Sequence, residues 1–244
     1  IVVTIFMMLA GMNFILHYGL ITGKLRKVLA NVELRVYLAI FAVAALIIAF
    51  SLYGRTYESF GLSLRHSAFQ AASILTTTGF TTADYATWPF FAKAVLFTLT
   101  FIGGCSGSTG GSIKVIRIVT LFKLGIHEMK HMSHPRRVFS LRLGRSALKE
   151  DMVYSVSGFF FLYLFILLLT TLVVASGGND LITSLSSALV TVGNIGPGFG
   201  RIGPTLNYAF FPDYIKWFLS FAMMVGRLEV YTVLVLFTPR FWRG

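Results

Sequence analysis

Hydrophobic positions in this chain fall in long unbroken runs rather than in the alternating or one-sided patterns of a soluble fold. Ile1 to about Ile21 is apolar until Asn13, His17 and Tyr18, and Leu34 to about Tyr53 contains the stretch Ala39–Phe50 with no polar side chain. Trp88 to about Leu124, Asp151 to about Ala175 and Asp213 to about Phe237 complete the series. About 20 apolar residues in a helix match the ~30 Å hydrocarbon core of a bilayer, so these runs predict membrane spans.

Two shorter segments break the pattern. Ser67–Leu75 and Asn179–Val190 are weakly apolar, and as helices each covers too little of the bilayer to cross it. They predict re-entrant helices, the second capped by Asn179 or Asp180. The Trp88–Leu124 run is the opposite case, since a continuous helix over it would be roughly 55 Å long. It holds Gly103, Gly104, Cys105, Ser106, Gly107, Ser108, Thr109, Gly110, Gly111 and Ser112. Five glycines at about 1 kcal/mol each against helix predict two half-helices joined by an intramembrane loop. The spacing of a nucleotide-binding P-loop is absent from it.

Composition supports the membrane reading: 56 % of residues are hydrophobic and 12 % charged. The net charge of +12 lies in the linkers, not over a soluble surface, which removes nucleic acid as the implied partner. Lys24, Arg26 and Lys27 mark one cytoplasmic linker; Lys114–Lys149, with nine Lys or Arg against Glu128, marks another. Such a surface suits anionic membrane lipids or an acidic partner domain. The single Cys105 leaves no disulfide framework within the chain.

Each re-entrant helix runs into a loop of unusual composition: Thr76-Thr77-Thr78-Gly79-Phe80 in one case, Thr191-Val192-Gly193-Asn194-Ile195-Gly196-Pro197-Gly198 in the other. Superposing Gly79 on Gly193, 114 positions apart, also matches Thr77 with Thr191, Leu75 with Leu189 and Ser73 with Ser187. Irregular backbone at membrane depth is tolerated where it lines a cavity, and rings of loop carbonyls form the filters of K⁺ channels. Such a ring needs about four loops. With two loops and no initiator Met, the chain is read as the C-terminal part of a longer protein.

Two further features carry chemistry. His127-Glu128-Met129-Lys130-His131 fits the H-E-x-x-H zinc signature, with Glu150 as a third candidate ligand, and makes a membrane-embedded zinc peptidase the alternative from another class. Lys123, Lys130, Arg136 and Arg137 would repel a dication and Pro135 interrupts the segment, so no zinc is expected. Arg227 and Glu229 lie within the last span, where a charge costs at least about 2.5–3.5 kcal/mol and faces a bundle interior or water. Two residues apart, they cannot pair with each other. A fixed positive charge at Arg227 would be a barrier to cations.

The order span, re-entrant helix, loop, span, together with Thr-Thr-Thr-Gly-Phe, Gly-Gly-Cys-Ser-Gly-Ser-Thr-Gly-Gly-Ser and Thr-Val-Gly-Asn-Ile-Gly-Pro-Gly, resembles the Trk/Ktr/HKT superfamily of potassium transporters, closest to its bacterial Trk membrane subunits. The resemblance implies an all-α polytopic membrane protein built on four pore-loop repeats around a pseudo-fourfold pore. Two of those repeats lie here. The implied division is 1–21 as the last span of a preceding repeat, 22–33 as a linker, 34–130 as one repeat, 131–149 as a linker, 150–239 as the next repeat and 240–244 as a tail. It implies K⁺ uptake, with K⁺ held at a filter of Thr76, Thr77, Thr78, Gly79, Phe80, Thr191, Val192, Gly193 and Asn194. Gly103 to Gly111 and Arg227 would form the gate. Further implications are a homodimer in the bacterial inner membrane, a cytoplasmic TrkA-type ring of nucleotide-binding regulatory subunits, no catalytic residue and no cofactor beyond the transported ion. The alternative within transport is a Na⁺-permeable or mixed cation pathway.

Overall fold

A computed structural model describes residues 1–133, 142–143, 146–147, 150–228, 230–236 and 238–242. Most of the basic stretch 134–149, with Pro135, Arg136 and Arg137, lies outside the described residues, as do Glu229, Phe237 and Arg243. The described architecture is helical; one two-residue antiparallel ladder pairs Arg142–Leu143 with Ser146–Ala147.

The first apolar run is not one rod. Helices α1 (Val2–Ala10) and α2 (Phe14–Ile21) meet at 111°. Gly11 ends the first helix, and Asn13 starts the second by leaving its backbone extended and accepting from the Ile15 amide at 2.8 Å. The polar residues expected to mark the end of a straight span therefore make its corner. His17 Nε2 lies 2.9 Å from the Leu9 carbonyl and braces the two arms.

After the short α3 (Leu25–Leu29), Asn31 caps α4 (Val32–Leu52) by accepting from the Leu34 amide at 2.9 Å. Its 21 residues rise about 32 Å, enough to cross the hydrocarbon. Tyr37, Ala45, Ile48 and Leu52 face inward, while Val43 and Phe50 are exposed and apolar, as a lipid-facing side requires. Helix α5 (Phe60–Leu75) starts seven residues earlier than the composition predicts, and so takes in Arg65 and His66. The His66 ring stacks on Tyr57 at 4.8 Å, which anchors this early start. At about 24 Å it still falls short of a crossing.

The long third run breaks where its glycines lie, into α6 (Phe90–Leu99) and α7 (Val115–Ser133). The second half of the chain repeats the scheme with α8 (Glu150–Ala175), α9 (Leu181–Val192) and α10 (Asp213–Arg227). Asp180 caps α9, accepting from the Thr183 amide at 3.2 Å, and the Thr183 hydroxyl, with that amide, holds its carboxyl below the usual carboxylate range. The last run is interrupted after Arg227, and α11 (Val230–Leu236) and α12 (Pro239–Trp242) follow it.

Helix α4 packs along α5 as α8 packs along α9, so each long span carries one short helix into the interior. One core gathers Tyr37, Ile48, Leu75, Leu96 and, from the second half, Ile195 and Phe199; the other gathers Phe159, Tyr163, Leu189, Val192 and Val225. Tyr85 joins the halves, since its buried hydroxyl donates to the Gly198 carbonyl at 2.9 Å. Removing that donor strands a buried carbonyl at a cost of about 1–3 kcal/mol. Tyr85→Phe is expected to lower the melting temperature of the full-length protein in detergent; an unchanged melt would show the bond to be dispensable.

Candidate functional site

Both short helices end inside the protein, and the backbone leaves them in the same way. In the first loop the Thr77 amide donates to Ile74 at 3.0 Å, Thr78 to Ser73 at 2.9 Å and Gly79 to Ser73 at 3.4 Å. In the second the Asn194 amide donates to Thr191 at 3.0 Å, Ile195 to Val190 at 2.8 Å and Gly196 to Val190 at 3.4 Å. The left-handed positions agree as well: Thr77 (φ 55°) and Gly79 (φ 78°) against Asn194 (φ 55°) and Gly196 (φ 106°). Equivalent residues are thus 117 positions apart (Thr77 with Asn194), and the string match of Gly79 to Gly193 is displaced by three.

The cause is the length of α9. Thr191 bonds back to the Ser187 carbonyl at 2.6 Å and stays helical with Val192, and Gly193 is the helix cap at φ −74°. Gly193 therefore matches Thr76, the cap of α5. Buried hydroxyls on the short helices then fix the loops. Ser73 donates to the Phe80 carbonyl at 2.6 Å, and Ser186 accepts from the Phe199 amide at 2.6 Å. The two loops also press together, because a Cβ on Gly79 would overlap the Ile195 carbonyl.

The Gly103–Ser112 loop lies against both of them. The Gly111 amide donates to Thr77 Oγ1 at 2.7 Å, and a Cβ on Gly111 would overlap the Gly193 carbonyl. Ser112 Oγ donates to the Thr100 carbonyl at 3.0 Å and Thr109 Oγ1 to Ala10 at 3.3 Å. The corner of α1 and α2 holds the other side: Cys105 donates its amide to the Gly11 carbonyl at 2.8 Å, and the Phe14 amide donates to Gly107 at 3.2 Å. Cys105 is wholly buried.

Below this loop is a cavity of about 320 Å³, lined by Gly107–Ser112, Lys114, Arg117, Phe159, Gly226 and Arg227. The Lys114 ammonium donates to the Gly110 carbonyl and, at 3.4 Å, to that of Ser108. The Arg117 guanidinium lies over the Phe159 ring at 3.9 Å. Arg227 ends α10, where its charge meets the negative end of the helix dipole. Among the described residues, no hydrogen bond or ion pair holds it. Three cations thus border one small cavity. The sequence points to Arg227 alone; in it Lys114 and Arg117 carry only a topology signal.

The sequence puts Glu33 in a linker, yet it is 7 % exposed, and one of its oxygens accepts from the Ser106 amide at 2.6 Å and the Ile116 amide at 3.2 Å. His127, Glu128 and His131 lie on α7, and no cluster of three metal-ligating side chains is present among the described residues.

Residues 1–243 match the TrkH cation transport protein family. The chain belongs to this family. Among its TrkH relatives, the Trk system potassium uptake protein TrkH of Salmonella typhimurium is 40 % identical over 99 % of this chain and 50 % of its own length. That of Escherichia coli K12 is 38 % identical over the same shares, and the TrkG protein of the same organism 35 % identical over 98 % and 49 %. The crystal structure of the potassium transporter TrkH from Vibrio parahaemolyticus superposes with a TM-score of 0.90 at 37 % identity, covering 98 % of this chain and 52 % of that one. The chain spans about half the length of the TrkH relatives it matches. As a chain of this cation transport family it is helical, with two helices among the described residues, α4 and α8, long and apolar enough to cross a membrane, and the family gives no support to a peptidase centre at His127, Glu128 and His131.

Proposed function

We propose that this chain supplies two of the four loops of a K⁺-selective, channel-like pore through which K⁺ enters the cell down its electrochemical gradient. The observation that carries the reading is the pair of short helices ending in loops of one backbone pattern, 117 positions apart, packed against each other inside the protein. The segments that take part are Thr76–Phe80 and Gly193–Pro197, with Gly79 and Gly196 as the equivalent glycines. Thr191 and Val192 support the second segment from the last turn of α9. Loop carbonyls would stand in for the ion's hydration shell.

The Gly103–Ser112 loop and Arg227 form the gate in this reading. The loop touches Thr77 and Gly193 from below and lines the cavity that Arg227 enters, so an ion leaving the filter meets both. The protein works as a homodimer, regulated through its basic cytoplasmic face by a TrkA-type nucleotide-binding ring, with anionic lipids along the same face. The names of its relatives, Trk system potassium uptake proteins, support K⁺ as the ion. Flux from liposomes holding the full-length protein is expected to favour K⁺ over Na⁺ by at least about tenfold. Equal fluxes would establish the mixed cation pathway instead.

A further inference from the structure

Glu33 stands at the start of a membrane-crossing helix, buried, with its carboxylate turned to a loop 73 residues away in sequence. Its position follows from the Asn31 cap, which sets the first turn of α4. What the carboxylate does there is specific. Its Oε1 accepts from Ser106, on the descending side of the glycine loop, and from Ile116, in the first turn of α7. One oxygen atom therefore closes the base of the loop. Between the two attachment points lie Gly110 and Gly111, the residues that reach the filter.

One of the two bonds fills a gap that every helix has, because the first amides of a helix have no acceptor within it and Glu33 supplies one for Ile116. Glu33 acts as a cap for α7 supplied by another helix; burial opposes its charged form, and the two amides and the Lys114 ammonium favour it. Bonds to an ionised acceptor are roughly twice as strong as neutral ones. The loop's bonds to the corner of α1 and α2, from the Cys105 amide to Gly11 and from the Phe14 amide to Gly107, are neutral; its other charged anchor is Lys114, which donates to the Ser108 and Gly110 carbonyls.

We propose that Glu33 is a positioning residue of the gate: its carboxylate seats the glycine loop under the filter and ties the loop to α7, so that a movement of α7 unseats the loop. The inference rests on the reading of that loop as the gate. Pulling Ile116 away with α7 breaks one of the oxygen's two bonds, and the pull passes along the chain to Ser106, which holds the other. Among the described residues no other side chain bonds both ends of the loop.

Cys105, buried within the loop and the chain's single cysteine, gives a direct readout. The full-length protein is reconstituted in liposomes as wild type, Glu33→Gln, Glu33→Ala and a form lacking residues 107–109. A small methanethiosulfonate reagent reports the accessibility of Cys105, with Cys105→Ser as blank, and basal K⁺ flux is measured per assembled protein. Labelling is expected to rise about tenfold or more in Glu33→Ala. It should rise less in Glu33→Gln, which keeps an acceptor oxygen without the charge, and flux should follow the same order. Wild-type labelling in both Glu33 variants beside a leaky shortened loop would overturn the role of Glu33 and leave the gate standing. Faster labelling with no change of flux in any variant would uphold Glu33 as the seat of the loop and overturn the loop as a gate. If Glu33→Ala does not assemble, the isosteric Gln decides. Faster labelling with reduced flux in both variants would mark a general loss of packing and overturn the proposal.

Discussion

Gly196→Ser is expected to lower the K⁺ preference over Na⁺ by about tenfold while leaving the protein assembled. Gly196 has φ 106°, a conformation in which a Cβ is strained by about 1–3 kcal/mol, yet no atom lies within 4 Å of where that Cβ would stand. The substitution therefore leaves packing intact and acts on the backbone. Relief of the strain rotates the 195–197 segment, whose Gly196 carbonyl accepts from Tyr208 Oη at 2.6 Å. A carbonyl ring that discriminates ions by its geometry loses discrimination when one member turns, and ~1.4 kcal/mol is a factor of ten. Gly193→Ser should behave differently. Its Cβ would overlap Ser112 Oγ and lie 2.8 Å from the Leu189 carbonyl, so loss of yield is its main effect. Reversal potentials in mixed K⁺ and Na⁺ check both variants. An unchanged K⁺/Na⁺ ratio in a well-expressed Gly196→Ser protein would remove that residue from the filter.

Arg227→Ala is expected to raise K⁺ flux per assembled protein by about tenfold. The guanidinium stays charged at any physiological pH. It borders a cavity that also receives Lys114 and Arg117, and the described residues offer it no counter-charge. Against a passing cation at an effective dielectric of about 20, one charge a few ångströms away is worth a few kcal/mol. Its removal lowers the barrier below the filter while the glycine loop stays in place. Flux and dimer yield measured on the same preparations decide the matter. Lower flux with poor dimer yield would make Arg227 an assembly residue.

Local composition made much of this architecture legible. The apolar runs at α4 and α8 and the break between α6 and α7 appear where hydrophobicity and glycine content place them, because bilayer insertion and helix propensity act on neighbouring residues. Two loops of related sequence following two short helices were visible for the same reason. Their register was not. Thr-x-Gly is a string, and where a helix stops depends on which hydroxyls and carbonyls it meets; Thr191, bonded to Ser187, carries α9 on to Gly193.

What the chain determined by itself is therefore the two long spans α4 and α8, the two inward helices and the position of the glycine loop. The tertiary structure decided what holds that loop. Its anchors are Glu33, Thr77 and Gly11, far from it in sequence and of types that carry no local signal. A glutamate before an apolar run reads as a linker residue, and only the return of α7 to the base of α4 buries it. The bend at Gly11–Asn13 is of the same kind: its free backbone groups find partners in Cys105 and Gly107. Hydrophobic patterning sets which segments enter the membrane. Backbone groups left unpaired there set how the segments meet, and their partners come from anywhere in the chain.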